Sequence, residues 1–193
     1  MQAEAEDKET KLVGLLALQF TILTASRSGP VRFARWDQLN TQTEEEWGGY
    51  PHWHIPGHLM KSGQDFTIPL SKAAQALLDD WRKQATKSDL IFRSPQDPRK
   101  SLSDATMRKA LQQIAPGITV HGWRSTFRDW LAEGAHGVEP HVAEAALAHG
   151  RTKTEAAYHR AAYFEQRIFW MEAWSRYLIH GQDDRTTLAQ IQM

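Results

Sequence analysis

The 193-residue sequence contains no cysteine. Disulfides, thiolate metal sites and cysteine nucleophiles are therefore excluded, and the chain suits a reducing compartment. It also lacks an excess of either charge, with 23 lysines and arginines against 23 aspartates and glutamates. A domain that grips nucleic acid unaided usually carries a basic surplus. The balance is uneven: residues 1–50 hold 5 basic and 8 acidic side chains, and residues 51–193 hold 18 and 15. If the partner is DNA, part of the phosphate neutralisation must come from elsewhere. Long apolar runs are missing too, and Met1–Thr10 is acidic and polar. The sequence thus offers neither a signal peptide nor a membrane span, and a cytoplasmic protein is expected.

What is present suffices for a core. The chain is 41% hydrophobic with eight tryptophans, enough for one packed domain. Residues 1–10 read as a linker. Leu12, Leu15, Leu16, Phe20 and Leu23 recur at helical spacing and predict a helix from about Lys8 to Ala25, stopped by Ser28-Gly29-Pro30. Ala34–Leu39 is a candidate strand, followed by an acidic loop at Glu44–Gly49. His52–Ile55 and Phe66–Leu70 predict a hairpin with Lys61 near its tip. Ser71 should cap a helix over Lys72–Gln84, and Asp89–Phe92 reads as a short extended piece. Ser103 starts another helix to about Ile114, broken by Pro116-Gly117. His121–Glu133, Glu139–Leu147, Glu155–Arg160 and Phe164–Ile179 complete the helices. The expected fold is mainly α with a small antiparallel β-sheet (α+β).

Six polar residues stand beside helix edges or chain breaks: Arg27, Lys61, His121, Arg124, His149 and Tyr158. Together they suit attack on a phosphodiester. A pentavalent phosphorus carries extra negative charge on its non-bridging oxygens, and planar guanidinium forks match those oxygens better than lysine does. His121 and Arg124, three apart on a predicted helix, should share a face. A histidine can exchange the proton of a phenol near neutrality, and a lysine on a flexible tip can protonate a leaving oxygen. A tyrosine phosphate ester keeps the bond energy for religation, which a hydrolase would surrender to water.

These residues stand in the order and local context of the tyrosine recombinase, or phage integrase, family. "TASRSGPVRFARWDQL" resembles the family's first arginine box and "HWHIPGHLMKSGQDFTIPLS" its lysine hairpin. "HGWRSTFRDWL" resembles the His-x-x-Arg box, and "AEAALAHGRTKTEAAYHR" the segment from second histidine to tyrosine. "RIFWMEAWSRYL" is similar to the tail of prophage and genomic-island integrases. The resemblance runs from about Leu12 to Leu178, and four boxes in order are far more specific than any one. It implies the catalytic-domain fold over residues 11–180, a tail at 181–193, and an N-terminal core-binding domain that is absent here. It implies that Arg27 and Arg124 clamp the scissile phosphate, His121 assists proton transfer and Lys61 protonates the 5′ oxygen. His149 would bind a phosphate oxygen and Tyr158 would form the 3′-phosphotyrosine link. No metal, ATP or other cofactor is implied. The implied partners are double-stranded DNA and further protomers in a tetrameric synaptic complex, with a monomer expected for the isolated domain. Pro30 and Phe66 stand where the family usually has an acidic residue and often a histidine.

Taken singly, each residue has a plainer reading. Arg27 could serve a helix C-terminus, Lys61 could be solvated, and His121 and Arg124 could be a surface pair. His149 could end a helix, and Tyr158 could be a half-buried core residue. Two other functions stay open on sequence: a DNA-binding integrase remnant without activity, and a nuclease using a metal at His52, His54 and His58. A type IB topoisomerase would share the tyrosine chemistry, but the context is integrase-like.

Overall fold

The structure, a computed structural model, describes residues 2–40, 49–85, 87–134, 146–147 and 153–181, and only the backbone of 2–3, 134 and 153–162. Helix α1 spans Gln2–Leu23, so the stretch read as a linker is helical from Gln2. Good helix formers begin it, and Lys11 pairs with Asp7 one turn back at 2.8 Å. Glu9 also receives the buried Arg93 at 2.7 Å, which ties that stretch to the body. α1 packs mainly on α4, Asp104–Ile114. Gly14 allows the approach: a Cβ there would lie 2.9 Å from Thr106 Cγ2.

The end of α1 corrects the sequence reading. Ala25 N–H donates to Ile22 O at 3.2 Å and Ser26 N–H to Thr21 O at 3.2 Å, with Ala25 at φ 47. This is a Schellman C-cap with alanine in the left-handed position usually given to glycine. Ser28-Gly29-Pro30 then begins a helix instead of ending one: α2 covers Ser28–Arg32, and proline is tolerated in a first turn whose N–H groups lack helical partners.

The expected strand over Ala34–Leu39 shrinks to β1, Leu39–Asn40, after a 3-10 turn at Trp36–Gln38. Arg35 instead forms an isolated bridge with Leu90, placing the expected extended piece near Asp89–Phe92 beside Ala34 and Trp36. β2, His52–Ile55, and β3, Phe66–Pro69, form the expected hairpin, and the antiparallel order is β1-β2-β3. The register pairs His52 with Pro69 and Ile55 with Phe66. Among the described residues β3 therefore has one edge free of strand partners.

α3 covers Lys72–Gln84 as expected, with Ser71 Oγ accepting from Ala74 N–H. α5 covers Gly122–Gly134. The two short helices expected after residue 155 are one, α6, over Lys153–His180, because no proline or glycine interrupts that sequence. The core gathers Phe20, Trp53 and Phe92 at one end and Phe127, Trp130, Trp170 and Trp174 at the other. Trp174 Nε1 donates to Ile22 O at 2.9 Å, locking α6 onto α1. Phe164 is buried within the chain. The loop at 41–48 and the helix expected at Glu139–Leu147, apart from Ala146 and Leu147, lie outside the described residues. No described helix is long and apolar enough to cross a membrane.

Candidate active site

Arg124 organises the site. It lies in the first turn of α5 and is buried, 6% exposed. Its Nη1 donates to Ala25 O at 2.7 Å and its Nη2 to Leu147 O. Ala25 lies two residues before Arg27, and Leu147 two before His149. One guanidinium thus brings together three of the chain segments picked out by sequence. The Ala25 carbonyl is available because of the way α1 ends. The left-handed Ala25 leaves its own oxygen outside the α1 ladder, while Thr24 Oγ1 and Ser26 Oγ bond each other at 3.0 Å.

Arg27 is half-buried at the N-cap of α2, with extended backbone (φ −82, ψ 151). α2 is held in turn by Arg32, which donates to Leu102 O and Asp104 Oδ1, both at 2.8 Å. His121 is exposed and immediately precedes α5, while Arg124 three residues on is buried; the His121 carbonyl accepts the Arg124 N–H at 3.1 Å. Gly122 N–H is capped instead by Thr119 Oγ1 at 3.0 Å.

Lys61 is exposed in the turn after a 3-10 segment, Gly57–Leu59. The turn is braced across its base. Gly57 N–H donates to Asp65 Oδ1 at 2.7 Å, and Gly63 N–H to Met60 O at 3.0 Å. A Cβ on Gly57 would meet Gly63 O at 2.6 Å, so the two arms of the turn touch. Tyr158 lies on α6, where the backbone alone is described, and His149 lies outside the described residues. The two departures from the family pattern have structural places: Pro30 is buried in α2, and Phe66 packs under a guanidinium of α6.

The histidine trio is dispersed. His52 is buried, with Nδ1 2.9 Å from Tyr50 O and its ring edge-on to Phe164. His54 faces Asp65 at 3.6 Å, and with His58 it lines a cleft containing Phe33, Arg35 and Asp37 but none of the six residues above. Among the described residues no three potential ligands gather as a metal site.

The phage integrase family model matches residues 1–165. The chain belongs to the phage integrase family. This sequence is 34% identical over 157 residues to "Prophage integrase IntA" of Escherichia coli K12, covering 80% of this chain and 36% of that protein. It is 32% identical over 158 residues to "Prophage integrase IntZ" of the same organism, covering 81% and 37%. The "Integrase" of Enterobacteria phage P4 is 27% identical over 195 residues, covering 92% of this chain and 43% of that protein. The chain thus spans less than half the length of these relatives. Among solved structures it resembles the XerH site-specific recombinase in its pre-cleavage complex with a difH substrate. The TM-score is 0.55 at 18% identity, over 80% of this chain and 46% of that one. The fold is that of the tyrosine recombinases, mainly helical with a three-stranded antiparallel sheet.

Proposed function

We propose that this chain cleaves and rejoins double-stranded DNA through a 3′-phosphotyrosine intermediate on Tyr158. The observation that carries the reading is the convergence on Arg124 of the segments bearing Arg27 and His149. Arg124 bonds backbone carbonyls through Nη1 and Nη2, which fixes the guanidinium plane. Arg27, projecting from the N-cap of α2, supplies the second fork. Two such donors stabilise the phosphorane as charge grows on its oxygens, each worth ~10²–10³ in rate. His149 adds a hydrogen bond to the phosphate.

The step balances within the side chains. The Tyr158 oxygen attacks phosphorus as its proton passes to His121. The P–O5′ bond breaks, its electron pair stays on the 5′ oxygen, and Lys61 supplies that oxygen's proton. Reversal on a second 5′ hydroxyl rejoins the strand. This chemistry needs no metal or nucleotide, because arginines carry the charge stabilisation and the tyrosine ester stores the bond. Residues 11–180 form the catalytic unit, working in the cytoplasm, and four protomers on two duplexes complete the exchange.

A pool of nicked duplexes with randomised sequence around the nick tests the reading. The short strand released on cleavage is lost, so covalent protein–DNA adduct accumulates and survives denaturing electrophoresis. The expected result is adduct from the wild-type chain, in chelator as well as without it, and none from Tyr158→Phe. No adduct from the wild type, or an unchanged amount from the variant, overturns it.

A further inference from the structure

The helix that carries Tyr158 also carries a buried arginine that the reaction above does not use. Arg167 is 6% exposed, and its Nη2 donates to Thr67 O at 2.6 Å. Its guanidinium carbon stands 4.6 Å from the centroid of the Phe66 ring. Its Nε is buried without a hydrogen-bond partner, and no described carboxylate pairs with it. Burial pushes the guanidinium pKa down to about 9, which still leaves it charged at neutral pH.

Stability alone does not account for such a residue. Among the described residues this buried cation has no counter-charge, which is costly, and an apolar side chain would cover a strand edge with less penalty. What arginine adds is geometry. Among the described residues β3 has one edge without a strand partner, and α6 packs against β3. A planar fork that bonds the carbonyl of one β3 residue while stacking on the ring of its neighbour fixes both the height and the tilt of that strand. Phe66 lies five residues past Lys61, and the intervening turn is braced by the Gly57–Asp65 and Gly63–Met60 hydrogen bonds. A shift of β3 is therefore passed to the turn instead of being absorbed in it. Tyr158 lies nine residues before Arg167 on the same helix, ~13.5 Å along its axis.

We propose that Arg167 is a positioning residue for Lys61: from the helix of the nucleophile it clamps the strand that leaves the lysine turn, and so sets where the leaving-group proton is delivered. This inference rests on the roles proposed above for Lys61 and Tyr158. It predicts a defect specific to departure of the 5′ oxygen. As the Tyr158 oxygen bonds to phosphorus and the P–O5′ bond breaks, the 5′ oxygen takes its proton from Lys61; a displaced turn makes that transfer slow. A 5′ sulfur in place of the oxygen leaves as a thiolate, whose conjugate acid ionises near ~8.5, and it needs no such proton.

The test uses a duplex of the sequence recovered from the adduct pool, made with either a 5′ oxygen or a 5′-bridging sulfur at the scissile phosphate. Single-turnover adduct formation is measured for wild type, Lys61→Ala, Arg167→Met and Phe66→Leu. Lys61→Ala should be slowed ~10²–10⁴-fold on the oxygen substrate and restored by sulfur. Arg167→Met should be slowed ~10–100-fold on oxygen and lie within ~3-fold of wild type on sulfur. Phe66→Leu removes the stacking face and leaves the cation in place, so it should show the same oxygen-specific loss at smaller amplitude even if Arg167→Met fails to fold. Equal slowing of Arg167→Met and Phe66→Leu on both substrates, or no slowing of either on oxygen, overturns the inference while leaving Lys61 as the acid. Failure of sulfur to restore Lys61→Ala overturns the underlying role of Lys61 and this inference with it.

Discussion

In the proposed reaction Arg124 does two jobs with one side chain, and they can be separated by substitution. Its guanidinium satisfies the carbonyls of Ala25 and Leu147 inside the protein, so removing it leaves buried acceptors without donors. Arg124→Ala should lose ~2–4 kcal/mol of stability in urea denaturation. Arg124→Lys keeps the charge and some of the bonding but has no planar fork. It should unfold closer to wild type while forming adduct ~10²–10³-fold more slowly. Equal damage from both substitutions to stability and rate would count against a phosphate-facing role. The sequence shows the motif around Arg124 but not its burial. His121 and Arg124 read as a matched pair at helical spacing, yet α5 begins at Gly122, leaving His121 exposed ahead of the first turn and Arg124 inside. Arg167 opens the segment that resembles the integrase tail, yet nothing in the sequence assigns it a role of its own. Its neighbours Glu165 and Gln166 make it look like one more charged position on a long helix, and its contact with Thr67 spans 100 residues.

Among the elements, the exit from α1 matters most, because it places both Arg27 and the carbonyl that Arg124 grips. Ala25 holds a left-handed conformation that costs an L-residue ~1–2 kcal/mol, and its methyl is buried. A β-branched side chain fits that conformation much worse. Ala25→Val should therefore destabilise the chain by ~2 kcal/mol and weaken adduct formation, read by urea titration and the nicked-duplex assay. A stability equal to wild type would show that the turn relaxes. Local pattern located most elements: Ser71, Lys72–Gln84 and the hairpin were legible from a cap residue and from alternation. It failed where a local signal has two meanings. Ser-Gly-Pro can stop a helix or start one, and the C-cap that decided the matter carries alanine where glycine would have announced it. It failed again over Ala34–Leu39, where a long-range bridge to Leu90 takes the backbone that a strand would have used. The break expected before Phe164 had no physical basis in a segment free of proline and glycine.

For the whole molecule the governing number is a formal net charge of zero. The proposed contacts with phosphate then rest on a few cations, set against an equal number of carboxylates elsewhere. Affinity should follow salt with slope −0.9 per phosphate neutralised, so a chain making few contacts binds weakly and with a shallow slope. Titration of a labelled duplex by fluorescence anisotropy should give a nonspecific Kd of ~10⁻⁵ M or weaker at physiological salt. Nanomolar binding that persists at high salt would contradict this balance of charge. The family and its fold agree with what the ordered motifs implied.

The unbroken α6 carries a mechanical implication. Trp174 fastens one half of this rod by its bond to Ile22 O and Arg167 fastens its middle to Thr67 O, while Tyr158 sits nine residues beyond that second fastening, a lever arm of ~13.5 Å. A pivot of only ~8° about Arg167 would swing the backbone of the proposed nucleophile by ~2 Å, more than the ~1 Å misplacement that slows a reaction about a hundredfold. Small adjustments where the helix meets β3 are thereby magnified at the far end.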